Sequence, residues 1–170
     1  MTFRHPENVT VRAANADDAA GVAAIYNHYV GQTVVTFEEE AVPTAEIARR
    51  MQDVAAASLP WLTAETGGSI VGYAYAAKWR VRHAYRFSVE VTAYIAPDHA
   101  RRGIGSSLYT VLVAALRARG IHAAIGGIAL PNDASIALHE KFGFRKVAHF
   151  EQVGFKFKRW IDVGYWQLIL

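Results

Sequence analysis

Two groups of residues in this sequence have types and spacings suited to chemistry. The first is His99-Ala100-Arg101-Arg102-Gly103-Ile104-Gly105-Ser106, a basic and glycine-rich stretch. Glycine at 103 and 105 allows close backbone approach and unusual φ values, so several N–H groups can converge on one anion. A helix starting there would add unpaired first-turn N–H groups and its positive dipole end, and Arg101 and Arg102 add full charges. The stretch therefore reads as a pyrophosphate cradle, with a plain loop and helix cap as the alternative. The second is Lys78-Trp79-Arg80-Val81-Arg82-His83-Ala84-Tyr85-Arg86, a cationic and aromatic loop with the densest local charge in the chain, which leads into a strand carrying Glu90. Guanidinium forks suit a carboxylate or a tetrahedral anion, and a carboxylate beside them can accept a proton. A lone Glu on a strand is more commonly a solvated face residue, so this group needs its context.

Other ligand classes are disfavoured by the same residues. A dinucleotide fingerprint would need a third glycine where Leu108 stands, and a triphosphate loop would need Gly-Lys-Ser/Thr. The seven histidines form no i,i+4 pair with a carboxylate between them, and there are no cysteines, so a metal site is not expected. The absence of cysteine also removes disulfides and thiol nucleophiles, which fits a cytoplasmic protein. The net charge of +3 comes from Lys and Arg dispersed among acids, favouring a local anionic ligand over nucleic acid. No apolar stretch has transmembrane length and no charged-then-apolar leader opens the chain, so a soluble protein without membrane contact is expected. With 52% of its 170 residues hydrophobic, the chain suits a single domain spanning 1–170 that buries roughly 70% of its unfolded surface.

These residues must be held by the surrounding elements. Thr10 to Ala13 reads as a short strand, and Asp17-Asp18 open a helix with Val22, Ile25, Tyr26, Tyr29 and Val30 on one face. Pro43-Thr44 begin a second helix carrying Ile47, Met51 and Val54. Trp61 to Glu65 and Ser69 to Lys78 form a hairpin across Gly67-Gly68. Phe87 to Ile95 alternates, placing Glu90 opposite Phe87, Val89, Val91, Ala93 and Ile95. A long helix follows the glycine loop to about Arg119, and Ala123 to Leu130 reads as a buried parallel strand. Asn132 caps a helix ending at Gly143, with Asn132, Ser135 and His139 on one side and Ala134, Leu138 and Phe142 on another. Two strands, near Lys146 to Val153 and Arg159 to Leu168, complete an α/β fold with a central mixed, mostly antiparallel sheet and about four helices.

Taken in order, these segments resemble the GCN5-related N-acetyltransferase family, and within it the phosphinothricin and methionine sulfoximine acetyltransferase branch. The likeness is carried by Ala24-Ile25-Tyr26-Asn27, Trp79-Arg80 with Tyr85-Arg86-Phe87-Ser88-Val89-Glu90, Arg101 to Leu108, Leu130-Pro131-Asn132, His139-Glu140-Lys141-Phe142-Gly143-Phe144, and Trp160-Ile161-Asp162-Val163. The resemblance implies acetyl-CoA as co-substrate. Its pyrophosphate would lie on Arg101, Arg102, Gly103, Ile104, Gly105 and Ser106. Its pantetheine arm would run along Tyr94 and Ile95, with Asn132 and Ser135 nearby. It further implies Glu90 as general base, His139 as the acid that protonates the departing thiolate, and Phe37, Arg80, Tyr85 and Arg86 as acceptor contacts. A homodimer is implied too, with Thr36-Phe37 reaching across its interface. The residues alone leave His139 equally readable as a face-capping histidine, and for Phe37 they favour plain packing over ligand contact.

Three departures from the branch stand out: Ala100 for a common Gln or Arg, Val91 where His often follows the glutamate, and Lys158 for a frequent Gly. Val91 is expected to alter the floor beside Glu90. An oxyanion contact from backbone N–H groups near Glu90 and Val91 would require a bulge to free them. The expected reaction is direct acetyl transfer to a small acidic amino acid analogue. The alternatives are a family member acting on another amine, or an acetyl-CoA-binding module without catalysis.

Overall fold

A computed structural model describes residues 9–170; residues 1–8, part of the stretch read above for a leader, lie outside it. The strands are β1 (Thr10–Ala13), β2 (Trp61–Thr66), β3 (Ser69–Lys78), β4 (Ser88–Ile95), β5 (Ala123–Ala129), β6 (Arg145–Lys156) and β7 (Arg159–Ile169). The helices are α1 (Ala19–Gln32), α2 (Thr44–Ala56), α3 (Ile104–Ala118) and α4 (Asp133–Lys141). All seven strands form one sheet in the order β1-β2-β3-β4-β5-β7-β6. Every neighbouring pair is antiparallel except β4 with β5, so the mixed, mostly antiparallel sheet anticipated from the sequence is present.

Helical periodicity decides which face each helix buries. Val22 and Ile25 of α1 and Ile47, Met51 and Val54 of α2 pack with Trp61 and Tyr73 on one side of the sheet. Leu108, Leu112 and Leu116 of α3 pack with Leu62, Ala74, Val89, Val91 and Ala124 on the other. Full burial of each such Leu contributes about 1.5–3 kcal/mol. The start of α1 differs in detail from the acidic-dipole expectation. Asn15 caps a 3-10 turn by accepting from Asp17 N–H at 2.8 Å, while buried Asp18 takes the Asn15 N–H and a two-pronged bond from Arg12 at 2.7 Å. Asp18 thus joins β1 to α1 and does more than complement the dipole.

The turns follow backbone chemistry. Gly67 and Gly68 have φ of 56° and 78°, as the hairpin required. The β6–β7 turn uses the same left-handed region at Phe157 and Lys158, φ 50° and 59°, without glycine. That conformation costs about 1–2 kcal/mol per non-glycine residue, and the Lys158 departure therefore carries strain. At the start of β4 the expectation needs adjustment. The strand begins at Ser88, and Phe87 is 48% exposed and outside the core, its carbonyl taking the His122 and Ala123 N–H groups.

Most important for the site is where two strands part. β4 pairs with β5 only through Ser88–Ala123, Val89–Ala124 and Glu90–Ile125. Beyond Glu90 no further pair is formed, although β4 runs on to Ile95 beside β3 and β5 to Ala129 beside β7. The sheet therefore opens into a groove whose apex is Glu90.

Candidate active site

One wall of the groove is the far half of β4 and the other is Gly126 to Ala129 of β5. The β3–β4 register is unbroken from Lys78–Val89 to Gly72–Ile95, so the bulge anticipated for an oxyanion contact is absent. Strand divergence frees the β5-facing backbone groups in its place. At the groove's mouth lies the glycine loop. Gly103 holds φ 81° and Arg101 φ 62°, and the first intrahelical bond of α3 is Ser107 N–H to Gly103 O at 3.1 Å. The N–H groups of Ile104, Gly105 and Ser106 precede that bond and point out of the helix start, beside exposed Arg101 and Arg102. Free strand-edge groups along a groove that ends at a helix start suit an extended ligand with an anionic end.

Gly105 has a second reason to lack a side chain. A Cβ there would meet Leu138 Cδ2 at 3.2 Å, so α4 packs against α3 across it. Ile95 and Tyr94 offer the groove mainly backbone. The Tyr94 ring packs on Tyr26 and Tyr29 at 5.3 and 5.1 Å, and the Ile95 carbonyl already accepts from the Tyr29 hydroxyl at 2.6 Å.

α4 carries the polar side chains Asn132, Ser135 and His139. Asn132 caps the helix by accepting the Ser135 N–H at 3.1 Å. This polar face meets Tyr109 of α3. His139 is 5% exposed, and its Nε2 lies 2.9 Å from the fully buried Tyr109 hydroxyl. Its Nδ1 lies 2.7 Å from the Ser135 carbonyl, which can only accept, so Nδ1 carries the proton and Nε2 accepts from Tyr109. Burial lowers the His139 pKa, opposed by the Ser135 bond, and favours this neutral form. Gly126 makes the arrangement possible, because any Cβ there would collide with the His139 ring.

At the apex, Glu90 points to the face opposite Val89 and Val91. Val91 is buried in the core under α3, so it does not form the floor beside Glu90. Glu90 lines a cavity of about 330 Å³ with Val35, Phe37, Gly127, Ala129, Val153, Val163 and Tyr165. Burial pushes its carboxyl up, and the nearby Arg80 charge opposes this without cancelling it. Desolvation therefore outweighs the one opposing cation, Arg80.

Arg80 lies over the Trp79 ring at 4.7 Å, and Trp79 meets Tyr165 edge-on at 5.7 Å. Arg86 is directed elsewhere: it stacks on Phe87 at 4.4 Å and donates to the His83 carbonyl at 3.4 Å. Tyr85 ends the same short turn and is 40% exposed. None of Arg80, Arg86 and Tyr85 lines the Glu90 cavity; Arg80 acts on Glu90 through its charge alone. Phe37 lines the cavity of its own chain, with its ring over Gly154, so it reaches Glu90 without a second subunit.

Gly127, Tyr165, Val35 and Val153 are cavity residues that the sequence reading did not single out. Gly127 had a usable signal, since adjacent glycines inside a buried strand mark close approach. A Cβ at Gly127 would sit 3.2 Å from Glu90 Oε1 and 3.1 Å from Tyr165 Cε1. Among the described residues, no group of three or more His, Cys, Asp or Glu is placed to hold a metal ion. No helix there is long and apolar enough to cross a membrane.

Comparison with known proteins agrees with this geometry. Residues 11–164 match the family model of the acetyltransferase (GNAT) domain. The chain is 40% identical to a phosphinothricin N-acetyltransferase of Streptomyces viridochromogenes over 94% of its own length and 86% of the relative's. It is 35% identical to an L-methionine sulfoximine/L-methionine sulfone acetyltransferase of Salmonella typhimurium, covering 95% of each chain. A crystal structure of a phosphinothricin acetyltransferase from Sinorhizobium meliloti in complex with acetyl-CoA superposes with a TM-score of 0.92 at 36% identity, covering 96% of this chain and 89% of that one. A sheet that opens at Glu90 towards a glycine-lined helix start, in a chain this similar to them, belongs to the GNAT family of acetyl-CoA-dependent acetyltransferases.

Proposed function

We propose that this chain, acting as one domain, transfers acetyl from acetyl-CoA to the α-amine of a small acidic amino acid analogue, of the phosphinothricin or methionine sulfoximine and sulfone kind. The observation that carries this reading is Glu90, a carboxylate with a raised pKa at the point where the thioester groove meets a side-chain-lined cavity. A carboxylate pushed upward by burial accepts a proton from an ammonium better than a solvated one does. The acceptor ammonium gives its proton to Glu90, directly or through water, and the freed lone pair attacks the carbonyl. Collapse of the resulting tetrahedral intermediate breaks the thioester C–S bond and releases the CoA thiolate, which then takes up a proton. Backbone N–H groups of β4 left unpaired by β5 beyond Glu90 stabilise the developing oxyanion. With no cysteine in the chain, transfer is direct within a ternary complex.

Arg80 holds the acceptor's acidic group, and Arg86 and Tyr85 guide acidic acceptors from the rim. Arg101, Arg102, Gly103, Ile104, Gly105 and Ser106 hold the pyrophosphate, and Tyr94, Ile95, Asn132 and Ser135 flank the pantetheine arm. His139 is the remaining candidate for returning a proton to the thiolate; this requires the ring to take up a second proton at Nε2, the atom that accepts from Tyr109, and then to pass it on. The protein acts in the cytoplasm as a homodimer. Support for pairing comes from the aromatic and aliphatic side chains along β6 and β7: Phe150, Val153, Phe155, Phe157 and Trp160 are all more than half exposed. A second reading, acetylation of an amino acid with a neutral side chain, is favoured by the apolar walls Val35, Phe37, Ala129, Val153 and Val163.

The test follows CoA release with phosphinothricin, methionine sulfoximine, methionine sulfone, ordinary amino acids and polyamines. Preference for the first three is expected. Preference for leucine or methionine would favour the second reading, and acetyl-CoA binding with no acceptor-dependent release would overturn both.

A further inference from the structure

Lys156, the last residue of β6, is buried to 1% exposure. Its ammonium donates to the Val30 carbonyl at 2.7 Å and to the Thr36 carbonyl at 2.9 Å. Both acceptors are backbone, and no carboxylate forms an ion pair with it among the described residues. Withdrawing an ammonium from water is costly, so the position of these two acceptors matters. Val30 lies in the last turn of α1, where the negative end of the helix favours a cation. Thr36 immediately precedes Phe37. The side chain therefore closes one connection, residues 33–37, onto the end of β6.

That junction is also one side of the Glu90 cavity, because Val35 and Phe37 come from the connection and Val153 from β6. Between Val153 and Lys156 sits Gly154, and an added Cβ would collide with the Phe37 ring. Gly154 has no left-handed backbone conformation, so close approach of that ring is the reason for its missing side chain. A second tie acts from the other side: the Tyr26 hydroxyl lies 2.8 Å from Thr36 Oγ1.

We propose that Lys156 is a positioning residue of the acceptor pocket: its ammonium draws Thr36 inward and so seats Phe37 on Gly154 as a fixed wall of the Glu90 cavity. The role is distinct from base chemistry and from donor binding, and it rests on the acceptor pocket assigned above. Lys156 touches neither substrate. Removing it leaves two carbonyls unmet and lets the connection move, which loosens acceptor fit.

The test uses Lys156→Met, similar in shape without donors, and Gly154→Ala, which displaces the same ring without disturbing the buried cation. Each is expected to raise acceptor KM about tenfold, within the coupling range of contacting residues. Both should keep kcat within about twofold and leave acetyl-CoA affinity unchanged. In a Phe37→Ala background neither should raise KM further. Effects that multiply with Phe37→Ala, or equal losses in kcat and acetyl-CoA affinity, would overturn the proposal. Should Lys156→Met fail to fold, Gly154→Ala and its double variant decide. A readout independent of any acceptor is the fluorine NMR signal of Phe37 in 4-fluorophenylalanine-labelled protein. It should shift or broaden in both variants, and an unmoved signal refutes the positioning role even if the acceptor is misassigned. A moved signal with unchanged acceptor KM would instead show that Phe37 is no part of the acceptor pocket.

Discussion

The groove and the cavity meet at Glu90 but are built from different materials. The groove is mostly backbone: two diverging strands and the amides at the start of α3, with Gly103 in a left-handed conformation. The cavity is mostly side chain, drawn from residues 35–37, β4, β5, β6 and β7. A backbone site tolerates substitution wherever the chain path survives, because every residue brings the same N–H and C=O. A side-chain site changes with each residue that lines it. Donor binding should therefore be robust in this protein and acceptor selection fragile, and mutagenesis can test that contrast.

The largest effect is expected at the shared apex. Glu90→Gln should lower kcat by about 10²–10⁴-fold, the usual worth of a general base, while acetyl-CoA affinity measured by calorimetry stays the same. In the parent enzyme kcat/KM should rise with pH as Glu90 ionises. Because burial raises its pKa, that acid limb should lie above the ordinary carboxylate value of about 4.3. The limb should vanish in the variant; its survival would assign the base elsewhere. Gly127→Ala comes next. Its methyl would crowd Glu90 Oε1 at 3.2 Å and Tyr165 at 3.1 Å, so acceptor KM should rise about tenfold, a cost typical of overpacking a fitted site. An equal rise in acetyl-CoA Kd would blur the division between the two halves. The smallest effect is expected for Arg101→Ala with Arg102→Ala. These exposed charges are worth about 0.2–1 kcal/mol each, so Kd for acetyl-CoA should rise only severalfold at physiological salt. A hundredfold loss would mean that side chains, and not the α3 amides, carry the donor.

The same contrast explains what could be read in advance. The glycine loop was legible as a turn into a helix because the turn needs local backbone freedom, which Gly103 declares by type. Helix faces and the Gly67-Gly68 hairpin were legible for the same reason. Glu90 was placed opposite Val89 and Val91 by alternation alone, though the consequence for Val91 was misread: a residue on the opposite face cannot be the floor beside its neighbour. Arg86 illustrates the limit in another way. Resemblance put it beside Arg80 in a cationic pocket; the turn at residues 83–85 lays it on Phe87, and neither arginine lines the Glu90 cavity, although the Arg80 charge acts on Glu90.

By itself the sequence determined the mixed fold, the glycine turn into a helix and the strand face on which Glu90 stands, because periodicity, glycine placement and strand alternation are short-range properties; the roles of the loop and of Glu90 came from resemblance to a family. Only the tertiary structure decided that β4 and β5 part at Glu90, that burial outweighs Arg80 there, and that His139 turns inward to Tyr109. Nor could spacing reveal that Lys156 reaches Val30 and Thr36, more than a hundred positions earlier in the chain. Each of these depends on which distant segments meet and how much water they exclude, and neither quantity is written in any local stretch of residues.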